Sequence, residues 1–228
     1  MANASVAGTG PVIQLDEIDL LVFDLDGTLV DTRQDLAHAV NFALAHFGKD
    51  HFSHESIVGF VGDGIVKLIE RALGEEGTPN VEEALRLFRS YYGEHISDYS
   101  QPYHGVIDLL EALTHKKKAV LTNKPHVFSE PLLRDLKMRD YFDVTIGGHN
   151  GYPLKPDPAA LIEILQRFEV SPERAIMIGD SQNDVLAGQA ASMHTCAVTY
   201  GFRPEEELLA LNPTIVARSP IEILSLLR

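Results

Sequence analysis

Short runs of apolar residues alternate with longer helical patterns over most of the chain. Leu20–Phe23 is a run of four apolar residues bounded by polar ones, as expected of a strand buried on both faces in a parallel sheet. Further strands are predicted at Ala119–Leu121, Phe142–Ile146, Ala175–Ile178, Thr195–Thr199 and Thr214–Val216. Helical segments separate the strands from residue 102 onward. This alternation predicts an α/β fold with a doubly wound, Rossmann-like parallel sheet.

Residues 33–100 differ from the rest of the chain because their apolar positions recur only at helical spacing. Helices are predicted at Asp35–Phe47, His54–Val61, Ile65–Leu73 and Val81–Ile96. Gln101–Gly105 contains Pro102 and Gly105 and is interpreted as the linker that returns to the sheet. We therefore predict a core domain of residues 1–32 and 101–228, with an inserted helical cap domain of residues 33–100.

Composition and charge narrow the choice of partners. The chain has 228 residues, 45% of them hydrophobic, and a formal net charge of -14, which argues against nucleic acid or an anionic membrane as a partner. There is no apolar run near the ~18 residues of a membrane span, and the first seventeen residues do not resemble a secretory signal. The single cysteine, Cys196, fits a reducing cytoplasm and a core position. We expect a cytoplasmic monomer or homodimer, with Lys116–Lys118 as a solvated helix end.

Two carboxylates and a Gly-Thr turn follow the first predicted strand. Asp24 and Asp26 are two residues apart, so their side chains point the same way if the extended geometry continues. One carboxylate is a candidate nucleophile and the other a candidate proton donor. Gly27 allows a sharp turn, and the Thr28 hydroxyl can bond a phosphate oxygen. The alternative is an Asx-turn that ends the strand without any chemistry.

Other polar residues follow other predicted strands and should meet at the same sheet edge, where ligands bind in doubly wound folds. They are Thr122, Asn123, Lys155, Asp180 and Asp184. Clustered carboxylates repel one another, and hard oxygen ligands favour Mg²⁺. We predict Asp24 and Asp180 as direct ligands, the backbone carbonyl of Asp26 as a third, and Asp184 as a ligand directly or through water. Lys155 is expected to neutralise a substrate phosphate.

The order of these motifs resembles that of the haloacid dehalogenase superfamily. The matching motifs are Asp24-Leu25-Asp26-Gly27-Thr28, Thr122-Asn123, Lys155-Pro156 and Gly179-Asp180 with Asp184. The resemblance implies a phosphatase in which Asp24 attacks phosphorus and forms an aspartyl phosphate, while Asp26 acts as general acid and then base. It also implies that Thr122 and Lys155 bind the transferring phosphoryl group, together with backbone amides near Leu25 and Asn123.

Within that superfamily the chain is similar to phosphoglycolate phosphatases in Val61–Gly64 and Pro102–Gly105. The similarity implies 2-phosphoglycolate as the substrate. Gly62 and Gly64 open a helix whose N–H groups are candidates for binding a substrate carboxylate, with Lys67 or Arg71 nearby. The alternative is an ordinary joint between two helices. Asp63 adds negative charge where a substrate carboxylate would bind, and it therefore counts against 2-phosphoglycolate. Arg203 is expected at the surface.

Other functions share parts of this motif set. A sugar-phosphate mutase of the β-phosphoglucomutase type also forms an aspartyl phosphate, and a pyrophosphatase or sugar phosphatase would use the same residues. From another class, a signalling receiver domain accepts phosphate on an aspartate without turnover. Receivers are about half as long and have no cap, so the pattern favours the hydrolase.

Overall fold

The computed structural model describes residues 17–75 and 80–227, so sixteen of the first seventeen residues lie outside the described part. The strands are β1 (Leu20–Phe23), β2 (Val30–Asp31), β3 (Gln101–Pro102), β4 (Lys117–Pro125), β5 (Val144–Gly148), β6 (Ala175–Gly179), β7 (His194–Val198) and β8 (Ile215–Ala217). Six of them form one parallel sheet in the order β5-β4-β1-β6-β7-β8. The predicted doubly wound sheet is confirmed.

Within residues 17–75 and 80–227, ten α-helices cover both faces of this sheet or pack beyond its edge. They are α1 (Arg33–Ala45), α2 (His54–Val58), α3 (Gly64–Leu73), α4 (Val81–Glu94), α5 (Val106–Ala112), α6 (His126–Asp135), α7 (Ala159–Phe168), α8 (Gln182–Ala190), α9 (Glu205–Leu209) and α10 (Pro220–Leu226). The short helix α9 was not predicted. Among the described helices, none is both long enough and apolar enough to cross a bilayer.

The first strand lies at the centre of the sheet because its two neighbours come from opposite halves of the winding. β1 pairs with β4 on one side and with β6 on the other, with Phe23 beside Val120 and Ile178. From β1 the chain winds outward to β5 and then returns to β6 on the far side. The carboxyl ends of β1, β4 and β6 therefore face one crevice, where a doubly wound sheet binds its ligand.

Helices α1 to α4 pack on one another and on the sheet edge above that crevice. α1 contacts all three of the others, and α3 also contacts α4 and β4. Their apolar side chains join the buried cluster on one face of the sheet, which includes Leu36, Ile65, Phe88 and Phe23. The four helices therefore cover the crevice, and their apolar side chains are continuous with the core of the sheet.

The two segments that lead into and out of these helices are tied together. β2 and β3 form a two-stranded antiparallel sheet, whereas the sequence had indicated Gln101–Gly105 only as a linker. Just beyond it, the buried Asp35 carboxylate of α1 accepts hydrogen bonds from the backbone N–H groups of Tyr99 and Ser100 and from the Ser100 hydroxyl. The entry and exit of the helical segment are therefore held side by side.

The prediction of a solvated helix end for Lys116–Lys118 was wrong for Lys118. Lys117 and Lys118 begin strand β4, and Lys117 is exposed. Lys118 is buried, and its Nζ donates to the carbonyl oxygens of Leu113 and Lys116. The long aliphatic stem allows a lysine to lie against apolar neighbours while its ammonium binds the last carbonyl groups beyond α5.

Candidate active site

Three buried carboxylates meet at the crevice beyond β1 and β6. Asp24 directly follows β1, Asp180 directly follows β6, and Asp184 lies in the first turn of α8. Each offers an oxygen, and these oxygens lie within 4.8 Å of one another. Asp184 is fixed because its Oδ2 accepts hydrogen bonds from the backbone N–H and the hydroxyl of Ser181. Backbone N–H of Phe202 donates to Oδ2 of Asp180 at 2.6 Å.

Lys155 supplies the positive charge inside this cluster. Its Nζ lies 2.8 Å from Oδ1 of Asp24 and 2.6 Å from Oδ1 of Asp184, and it also donates to the Leu121 carbonyl. Asn123 fixes the lysine from the side, since its Oδ1 accepts from the Lys155 N–H and its Nδ2 donates to the Lys155 carbonyl. The loop after β5 is thereby held against the ends of β1 and β4.

The charges in this cluster do not balance. Burial raises the pKa of Asp24 to about 7, with Lys155 opposing the shift and Asp184 adding to it. Burial and the neighbouring carboxylates raise the pKa of Asp180 well above its ordinary value. Burial disfavours the Lys155 ammonium, but Asp184 and Asp24 outweigh it and raise its pKa. One cation thus faces three carboxylates, a combination that a further cation would relieve.

The donor set fits a divalent metal ion. Hard carboxylate oxygens held in a compact, buried group are the ligands that Mg²⁺ or a similar cation takes up. Among the described residues, Asp24, Asp180 and Asp184 form a group of three carboxylates that could hold a metal ion. The structure therefore supports a metal site at the predicted carboxylates.

Asp26 lies at the same crevice, but its cationic partner is Lys124 instead of Lys155. Its carboxylate accepts from the Thr32 hydroxyl at 2.7 Å and from Nζ of Lys124 at 3.0 and 3.3 Å. The same Nζ donates to the hydroxyl of Tyr92 on α4. No role at the site was predicted for Lys124 or Tyr92. Lys124 directly follows Thr122-Asn123, and this position was the available signal.

A cavity of about 40 Å³ lies between the carboxylates and helices α1, α3 and α4. The predicted site residues that line it are Asp24, Asp26, Gly62, Gly64, Thr122, Asn123, Lys155 and Asp180. Asp184 is buried behind Lys155. Two predicted substrate-binding residues do not line it: Thr28 is buried, with no partner for its hydroxyl among the described residues, and the Lys67 ammonium pairs with Glu70 on the exposed side of α3.

Three side chains, those of Asn123, Asn183 and Arg203, hold the segment between α2 and α3 that carries Gly62. Asn123 donates to the Gly62 carbonyl at 2.8 Å, and Asn183 donates to the same carbonyl and to Oδ1 of Asp63. Arg203 was expected at the surface, but it lines the cavity and donates to the carbonyl oxygens of Gly59 and Val61. That expectation was wrong because backbone carbonyls 144 and 142 residues away in sequence supply its partners.

The charge of Asp63 is compensated within this segment. Its carboxylate forms an ion pair with Arg71 and accepts from Asn183. Burial acts to raise the pKa of Asp63, but Asn183 and Arg71 outweigh it and hold that pKa below its ordinary value. The negative charge of Asp63 had counted against a carboxylate substrate. In the structure it is paired with the guanidinium of Arg71.

A sequence model of haloacid dehalogenase-like hydrolases matches residues 21–198, which is more than half of the chain. The chain belongs to this hydrolase family. Phosphoglycolate phosphatase 1 of Pseudomonas aeruginosa is 40% identical to this hydrolase over 208 residues, which cover 86% of this chain and 75% of the relative. A phosphoglycolate phosphatase of Nitrosospira multiformis is 35% identical, with 92% of this chain and 96% of the relative covered.

Solved structures resemble the hydrolase over nearly its whole length. A crystal structure of a predicted phosphoglycolate phosphatase from Haemophilus somnus 129pt has a TM-score of 0.86 and 29% identity, covering 93% of this chain and 99% of that one. A haloacid dehalogenase-like family protein from Streptococcus pneumoniae has a TM-score of 0.84 and 28% identity, covering 93% and 100%. The predicted family, fold class and class of enzyme, a phosphatase, are confirmed.

Proposed function

We propose that this hydrolase removes phosphate from 2-phosphoglycolate through an aspartyl-phosphate intermediate, with Mg²⁺ as its cofactor. The observation that carries the proposal is the buried group of Asp24, Asp180 and Asp184 around Lys155. The names of the relatives in Pseudomonas aeruginosa and Nitrosospira multiformis support the choice of substrate.

Asp24 is suited to act as the nucleophile. Lys155 and the end of β1 fix its position, and its Oδ2 accepts no hydrogen bond from any described residue. That oxygen attacks phosphorus, and the bond from phosphorus to the alcohol oxygen of the substrate breaks. Thr122 and Lys155 bind the phosphoryl oxygens as charge develops on them.

Asp26 is suited to move the proton because its carboxylate lies in the same cavity with its own hydrogen bonds to Thr32 and Lys124. As general acid it gives a proton to the leaving alkoxide. It then takes a proton from a water that attacks phosphorus, which breaks the bond to Asp24 and releases inorganic phosphate. The two steps return both aspartates to their starting states.

Mg²⁺ would be held by Asp24, Asp180 and Asp184 with the backbone carbonyl of Asp26. A carboxylate ~3.5 Å from a phosphate dianion at an effective dielectric of ~20 is opposed by roughly 9 kcal/mol. The bound ion supplies positive charge against this repulsion. The ammonium group of Lys155 supplies further positive charge against the same repulsion.

The cap side of the cavity supports an anionic substrate. Helix α3 begins at Gly64, and its N-cap Asp63 makes no side-chain cap hydrogen bond, so the first N–H groups are free of that partner. Such an N-terminus favours a carboxylate.

We further propose that residues 33–100 act as a cap domain over a core of residues 1–32 and 101–228. The joined strands β2 and β3 lie where the two parts meet and support this division. The single cysteine, Cys196, is a free buried thiol, as suits a cytoplasmic protein. A monomeric or homodimeric state remains a prediction for sedimentation analysis.

The test is a phosphate-release screen with Mg²⁺ over small phosphomonoesters. We expect the highest kcat/KM for 2-phosphoglycolate, and Asp24→Asn should abolish turnover. Glucose 1-phosphate and pyrophosphate belong in the same screen. Consumption of glucose 1-phosphate without phosphate release would indicate a mutase, and a stable phosphoprotein without turnover would indicate a receiver. A near-normal rate in Asp24→Asn would refute the assigned nucleophile.

A further inference from the structure

Lys124 is a buried cation that belongs neither to the carboxylate cluster nor to the phosphoryl-binding pair. It lies in β4, and 3% of its side chain is exposed. Its Nζ is 3.0 and 3.3 Å from the two Asp26 oxygens and 2.6 Å from the Tyr92 hydroxyl. These two partners lie 98 and 32 residues away in sequence, one in the turn after β1 and the other in the cap helix α4.

Tyr92 is held in place by its ring as well as by its hydroxyl. The ring stacks on Phe88, meets Phe128 of α6 edge to face, and lies 4.7 Å from Nζ of Lys124. Only 1% of the residue is exposed. The hydroxyl therefore reaches Lys124 only while α4 is packed on the core.

The ammonium of Lys124 is charged in this environment. Burial acts against the charge, but Asp26 and Tyr92 outweigh it and raise the pKa of Lys124 above its ordinary value. Burial likewise raises the pKa of the Tyr92 phenol to about 12, so the hydroxyl is neutral at physiological pH. Lys124 thus joins the Asp26 side chain of the core to a neutral hydroxyl of the cap.

We propose that Lys124 is a positioning residue for Asp26, and that Tyr92 makes this positioning depend on closure of helix α4 over the site. The inference rests on the proposed role of Asp26 as proton donor. A carboxylate that must protonate a leaving oxygen needs a fixed direction, which Thr32 and Lys124 provide from two sides. When α4 moves away, Lys124 exchanges the Tyr92 hydroxyl and ring for water, and its hold on Asp26 loosens. The Asp26 carboxyl group is then held in the direction needed for proton transfer only when α4 encloses the substrate.

The substitution Tyr92→Phe tests this because it removes the hydroxyl and keeps the ring. Tyr91→Phe is the matched control, since Tyr91 is on the same helix but stacks on Phe42 and His95, away from Asp26. The substrates are phenyl phosphate and p-nitrophenyl phosphate, which have similar shapes but differ in how much the leaving oxygen needs a proton. For Tyr92→Phe we expect a fall in kcat/KM of about tenfold with phenyl phosphate, corresponding to one lost hydrogen bond to a charged group, and of less than about twofold with p-nitrophenyl phosphate. Tyr91→Phe should change neither rate.

A double-mutant comparison shows whether Tyr92 acts through Asp26. In an Asp26→Asn background, adding Tyr92→Phe should cause no further fall in the residual kcat/KM for phenyl phosphate, measured as phenol release, although it costs about tenfold when Asp26 is present. Lys124→Met should show the same leaving-group dependence as Tyr92→Phe, and Lys124→Arg, which keeps the charge, should recover part of the rate with phenyl phosphate. An Asp26-independent loss, or equal losses with both esters, would overturn the positioning role. If the wild-type protein released phosphate from no ester, the proposed function itself would fail instead.

Discussion

Replacing Lys155 by methionine removes the ammonium group from the carboxylate cluster while keeping a side chain of similar length. Asp24 and Asp184 lose their shared partner, and the Leu121 carbonyl loses a donor. Asp180 lies in the same group of oxygens. The substitution therefore leaves three buried carboxylates without a protein cation, and it tests the charge balance independently of any enzymatic rate.

The magnitude follows from the two short contacts. Separations of 2.8 and 2.6 Å each correspond to an attraction of about 6 kcal/mol at an effective dielectric of ~20, and desolvation offsets a large part of this. Removing one partner of a buried ion pair costs about 3–5 kcal/mol. We expect a loss of that size in the free energy of unfolding of the metal-free protein. Mg²⁺ should reduce the loss because it binds the same carboxylates only in the folded state.

Urea unfolding with EDTA and with Mg²⁺, followed by circular dichroism, measures both quantities. Lys118→Met is the matched control: this lysine is also buried, but its partners are two backbone carbonyls. Its loss should be the same with and without Mg²⁺. The assigned charge balance would be refuted if Lys155→Met had the same unfolding free energy as the wild-type protein in EDTA. It would also be refuted if Mg²⁺ reduced the loss of unfolding free energy equally in Lys155→Met and Lys118→Met.

Three further predictions concern stability. Because burial raises the pKa of Asp24 to about 7, the folded state binds a proton that the unfolded chain releases near pH 4, so the unfolding free energy in EDTA should fall as the pH rises between these values. Asp24→Asn should remove up to about 4 kcal/mol of that fall, and an unchanged pH profile would contradict the shift. Gly27→Ala should destabilise the protein by more than about 1 kcal/mol and lower activity, because φ is +85° and the new Cβ would lie 2.2 Å from Oδ2 of Asp180; urea unfolding and phosphate release measure the two effects. Asp35→Asn should lose about 2 kcal/mol in urea unfolding, because its carboxylate accepts from two backbone N–H groups and the Ser100 hydroxyl; no loss would mean that this tie is dispensable.

Local patterns in the sequence determined the sheet and the acidic half of the site. A continuous apolar run marks a strand buried on both faces, and Leu20–Phe23 has the same bounds in the structure as in the prediction. The residues that follow such strands share one sheet edge by topology, so Asp24, Asp180 and Lys155 could be expected together before any coordinates. Both steps depend on residues close in sequence and on a general rule of parallel sheets.

Only the tertiary structure decided which side chains reach across the crevice. The partners of Lys124 are 98 and 32 residues away, and Arg203 finds a carbonyl 142 residues away. Thr28 and Lys67 were predicted at the site, but one is buried beside it and the other faces outward. Periodicity fixes the face of a helix or strand, but the direction of a long polar side chain depends on which charges and carbonyls the folded chain brings within about 3 Å. Contacts over such separations leave no local pattern in the sequence.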